Sequence, residues 1–140
     1  MFSQILSSLN WIHILVANLV YFTLGALWYG KPLFAAAWIK GHNIDINAPD
    51  AKKGMASVMI MGFVLMLINV FGIAVLQQAL HTTGWMNGLK LALFAGIVFN
   101  TTAIWLGYNY TKKPFSVLLI DAGYQIVGTS IASIILAVWQ

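Results

Sequence analysis

Four apolar stretches, at about residues 11–30, 55–80, 85–110 and 115–139, take up most of a 140-residue chain. Each is long enough to cross a hydrocarbon core about 30 Å thick, which takes roughly 20 helical residues. A segment inside that core must satisfy its own backbone hydrogen bonds, and a helix does so without a neighbour. The composition agrees: 61% of residues are hydrophobic, 7% are charged and the mean hydropathy is +0.86, whereas a soluble domain carries about 25% charge. The expected fold class is all-α integral membrane. It is a four-transmembrane-helix bundle forming one domain, residues 1–140, with no separate soluble part.

The net charge of +4 comes from seven lysines and no arginine. That composition argues against nucleic acid as a partner, because phosphate and base-edge recognition lean on arginine forks. Zero cysteines exclude disulfides, thiolate metal sites and a cysteine nucleophile.

The lysines instead set an orientation. Lys31, Lys40, Lys52 and Lys53 lie between the first two stretches, Lys112 and Lys113 between the last two, and only Lys90 falls on the opposite side. By the positive-inside rule, loops 31–54 and 111–114 are expected in the cytoplasm and both termini outside. Trp11, Trp85 and Trp139 then fall at outer ends, and Trp28, Trp38 and Trp105 near inner ones, where indole prefers to sit. The first stretch is too long and too aromatic for a signal-peptide core, so it is expected to be retained. The short turn HTTG implies a tight hairpin of spans two and three, and Pro114 suits the first turn of span four.

The first loop begins KPLFAAAWIKG, with Leu33, Phe34, Ala37 and Trp38 on one helical face and Gly41 as the expected stop. It reads as a short cytoplasmic helix lying in the membrane surface; a partner-binding helix would have the same pattern. Superposing Lys31-Pro32 on Lys113-Pro114, an offset of 82, also matches Asn18 with Asn100 and Gly25 with Gly107. Parallel repeats of that kind occur in some transporters. Chance, with the shared needs of any helix leaving a membrane, is the other reading, and spans two and four show no comparable match.

Counting about 1.5 Å per residue from the lysine-rich ends, Asn18 lies about 18 Å deep, Asn69 about 21 Å, Asn100 about 15 Å and Gln125 about 15 Å. Each span thus brings one amide to mid-membrane, on a face shared with small residues, as expected where helices in lipid meet. Asp121 lies about 9 Å in, one turn from Gln125. Together Asp121, Gln125, Asn18, Asn69 and Asn100 form the candidate intramembrane polar site. Two readings stand: the amides hold helices together, or they line a polar pocket or ion path. For Asp121, a carboxylate in low dielectric without a cation favours taking up a proton. Its expected partners are Trp105, Tyr108 and Thr101 on span three, Gln125 and Tyr124 on its own helix, or Lys112 or Lys113 reaching up from the interface.

No metal site and no cofactor are expected. His13 and His81 near the outer face could in principle ligate a metal or haem, but they suit an interfacial belt better; His42 falls in the polar loop. Asn100-Thr101-Thr102 matches a glycosylation sequon buried in a span, and no nucleotide loop, zinc-protease pair or serine elbow occurs.

LGALWYGKPLFAAAWIK at residues 24–40, NTTAIWLGYNY at 100–110 and IDAGYQIVG at 120–128 resemble a family of small bacterial membrane proteins catalogued as domain of unknown function seventeen-sixty-one. Its most specific pieces here are Trp28-Tyr29-Gly30 with Pro32 and Phe34, and Asp121-Ala122-Gly123-Tyr124. The resemblance implies four spans in a bacterial inner membrane and carries no activity with it. The function expected is transport or permeation with a proton or cation site at Asp121; the alternative is a non-catalytic scaffold or lipid-binding protein with Asp121 structural. An enzyme is not expected. The expected partners are the lipid bilayer and further copies of the chain, as a homo-oligomer.

Overall fold

Long apolar runs without interior proline leave the helix as the only economical backbone, and a computed structural model, which describes residues 1–139, is all helical. Four helices are long and apolar enough to span a membrane: Trp11–Trp28, Met55–Ala79, Trp85–Tyr110 and Phe115–Val138. Two short helices accompany them, α1 (Phe2–Ser8) and α3 (Ala35–His42). The first and second spans are α2 and α4. The third comprises α5 (Trp85–Ala95), a π-helical stretch (Gly96–Thr101) and α6 (Thr102–Tyr110), and the fourth is α7 (Phe115–Val138).

The fourth span is the axis of the bundle. Of its most apolar 18 residues 50% are buried, against 22% in the first span and 17% in the second and third. The first and third spans both pack chiefly on α7. Small residues make this approach close: Gly128 lies against the ring of Tyr21, and any Cβ there would collide with it. The other three spans turn most of their apolar surface outward, as helices facing lipid do.

Spans two and three, despite the short turn between them, hardly touch. The turn is real, with left-handed φ at His81 (51°) and Gly84 (79°). However, the Gly84 amide donates to the Ala137 carbonyl at 3.0 Å, so the turn is tied to the end of α7. This corrects the expected tight hairpin: the third span leans on the fourth and leaves a crevice beside the second.

Several local expectations are also revised. Gly41 does not stop α3: it is inside the helix, where its missing Cβ lets the backbone press on Val117, and the left-handed residue at the end is Asn43, φ 55°. α1 has no counterpart in the sequence reading, although the Asn10 side chain, which accepts from the Ile12 and His13 amides at 3.0 and 3.3 Å, is a readable N-cap for α2. The third span is not uniformly α-helical. Finally, the positions matched at offset 82 are not equivalent in space: Gly25 packs on the Tyr124 hydroxyl while Gly107 faces open space, and Asn18 is buried while Asn100 is half-buried.

Candidate functional site

At the lysine-rich end the chain leaves α2 at Tyr29 and folds straight back. The Phe34 amide donates to the Trp28 carbonyl at 3.1 Å, and the Trp28 ring packs on Phe34 at 4.9 Å, tilted by 45°. This reversal lays α3 across the end of α7. The amphipathic pattern that suggested this helix is met in part by the bundle, because Trp38 turns inward to Asp121.

Asp121 lies at the centre of the junction. Tyr29 donates its hydroxyl to Oδ1 at 2.6 Å, the Trp38 indole Nε1–H donates to the same oxygen at 2.9 Å, and Tyr108 donates its hydroxyl to Oδ2 at 2.6 Å. His42 Nε2 stands 3.5 Å from Oδ2. The Asp121 side chain is 13% exposed. Among the described residues no lysine pairs with it. One carboxylate therefore gathers the end of the first span, α3 and the third span onto the fourth. Beside it the Trp28 indole donates to the Ile120 carbonyl at 3.0 Å. Burial first, and the neighbouring carboxylate second, push the Tyr29 hydroxyl well above the ordinary phenol range, so it stays a donor.

Of the partners anticipated from sequence, only Tyr108 reaches Asp121. Thr101 donates instead to the Gly96 carbonyl at 2.8 Å, inside the π-helical stretch, and Trp105 lies against Phe115. Gln125 accepts from the Tyr21 hydroxyl. The Tyr124 hydroxyl sits 3.1 Å from both the Tyr21 carbonyl and Met66 Sδ. Tyr29, Trp38 and His42 are the residues that sequence reasoning missed. The available signal was the aromatic density on both sides of Lys31-Pro32.

The amide layer divides in two. Asn18 is fully buried and donates Nδ2 to the Phe63 carbonyl at 3.3 Å, tying span one to span two. The other three, Asn69, Asn100 and Gln125, are half-buried and line the crevice between spans two and three, a cavity of about 370 Å³. Thr129 on α7, fully buried, bridges the first two: it accepts from Asn100 Nδ2 and donates to Asn69 Oδ1, each at 3.4 Å. Asp121 is not among the crevice residues, so the candidate polar site is two places, a closed junction and an open layer above it. At the far end Gln77 donates to the Ser133 carbonyl and hydroxyl, at 2.8 and 2.7 Å, and His13 stacks on Trp139 at 4.1 Å.

No curated protein and no solved structure matches the chain. The family model described as Protein of unknown function (DUF1761) matches residues 12–137, and the chain belongs to that family.

Proposed function

We propose that this member of the DUF1761 family is a non-catalytic scaffold or lipid-binding protein of the bacterial inner membrane, in which Asp121 is a structural anchor. The observation that carries the reading is the Asp121 junction itself: three uncharged donors from three elements fill the carboxylate. A carboxylate with such donors is held in its acceptor role, and hydrogen bonds to a charged group contribute about 1.5–3 kcal/mol each. An ion-coupling site would have to give these partners up during every turnover.

What the anchor holds is a basic face. Lys31, Lys40, Lys52, Lys53 and Lys112 are exposed on the same side of the membrane as the junction. Lysines at a membrane surface attract anionic lipid at about 1 kcal/mol each, so a pinned α3 presents a fixed lysine array to the leaflet. That face is cytoplasmic in this proposal, with both termini outside, and labelling of an Asp45→Cys variant from the outside would contradict it.

The test is Asp121→Asn, purified and reconstituted. The proposal expects a lower melting temperature and no change in proton flux across the vesicle membrane. A proton flux in the wild type that this variant abolishes while melting normally would replace the proposal by the transport reading.

A further inference from the structure

The crevice between the second and third spans holds polar groups that the fold leaves unused. Thr129 engages only one end of each neighbouring amide, so Asn69 Nδ2 and Asn100 Oδ1 keep no partner among the described residues. Gln125 accepts from Tyr21 through Oε1, which leaves its Nε2 without one. Two donors and one acceptor thus line a cavity that counting along the helices puts near mid-membrane, where an unmet polar group costs several kcal/mol.

The chain forms this arrangement by two local devices. The π-helical stretch contains Asn100 and re-aims its side chain, and such stretches recur at functional sites. Gly62 on the second span keeps the mouth wide: a Cβ there would meet nothing within 4 Å. The walls between are apolar, Leu65, Met66 and Ile104 among them. Apart from the Tyr124 phenol, already engaged, no ionisable side chain lines the space.

We infer that this crevice is a binding site for an uncharged, membrane-soluble molecule whose compact head carries carbonyl groups. An apolar body suits the walls and the lateral opening to lipid, and a cavity of about 370 Å³ falls in the range of small-molecule sites. Carbonyl oxygens would accept from Asn69 and Gln125, and a hydroxyl on the reduced form of such a head would donate to Asn100. A charged head is disfavoured because nothing in the crevice neutralises it. The inference is independent of the role of Asp121.

Decylubiquinone, a ring with carbonyl groups on a short alkyl chain, is a suitable probe, and decylbenzene is the same body without the carbonyls. Binding to the purified wild type is read as a rise in melting temperature with probe concentration. Saturable stabilisation by decylubiquinone and at least tenfold weaker stabilisation by decylbenzene are expected, with Asn69→Leu and Gln125→Leu each weakening the quinone roughly tenfold, the worth of one hydrogen bond. Gly62→Phe adds a ring at the mouth, where the first side-chain carbon would meet nothing within 4 Å, and should abolish binding. Equal effects of the two probes, no effect of either, or full binding by Gly62→Phe would overturn the inference. So would conversion of an oligomer to monomer by Gly62→Phe in light scattering, since a second copy would then be the occupant.

Discussion

The indole Nε1 of Trp38 lies 2.9 Å from Oδ1 of Asp121, across 83 residues of sequence. That bond converts a surface helix of eight residues, too short to be stable alone, into part of the bundle. Trp38→Phe keeps an aromatic ring where Trp38 packs T-shaped on Tyr29 at 5.5 Å, and removes the donor together with part of the indole. A loss of about 1–2 kcal/mol is expected, read as a lower melting temperature in detergent, with faster proteolysis confined to loop 31–54. Unchanged stability and unchanged proteolysis would show that the indole N–H contributes nothing.

Asp121→Ala strands three donors at once and should cost more than Trp38→Phe, about 3–5 kcal/mol. Denaturant or thermal unfolding of the two variants side by side checks the order. Equal losses would mean that Tyr29 and Tyr108 find other partners without cost.

Tyr29 gives the junction a pH dependence of definite sign. Its folded hydroxyl holds its proton more tightly than an unfolded tyrosine, first through burial and then through Asp121. The resulting stability is fully present below the ordinary phenol value, roughly pH 10, and is lost as pH rises from there towards the folded value. The melting-temperature gap between wild type and Tyr29→Phe should therefore be constant from neutral pH to about 9 and narrow above roughly 10. A gap that widens in alkali would have the wrong sign.

Two glycines separate packing from open space. Gly128→Ala drives a methyl into the Tyr21 ring and should destabilise by about 1–3 kcal/mol. Gly62→Ala, facing nothing, should be within about 0.5 kcal/mol of neutral. Thermal unfolding of both, compared with wild type, reads the difference directly.

The spans were legible in the sequence because length and hydropathy alone decide whether a helix can cross a bilayer. Tyr108 was legible as a neighbour of Asp121 because it lies in the last turn of the third span at the same lysine-rich end, within a long side chain's reach of a carboxyl about two turns in. Tyr29, Trp38 and His42 were not, since the reversal through Lys31-Pro32 is a tertiary event and Trp38 reads as an interfacial belt residue until α3 is folded back. For the amides the sequence yields an expected depth along each helix, but depth does not fix azimuth. The π-helical stretch at Gly96–Thr101 rotates the third span, and no local propensity announces it. Asn18 therefore became an internal tie while Asn69, Asn100 and Gln125 came to line a crevice.

The structural role of Asp121 is tested most directly by backbone hydrogen exchange across Ala35–His42 in the wild type and in Asp121→Ala. The account predicts that α3 is protected in the wild type and loses that protection in the variant, while the core of α7 exchanges as before. Unchanged protection of α3 in a folded Asp121→Ala protein would contradict it.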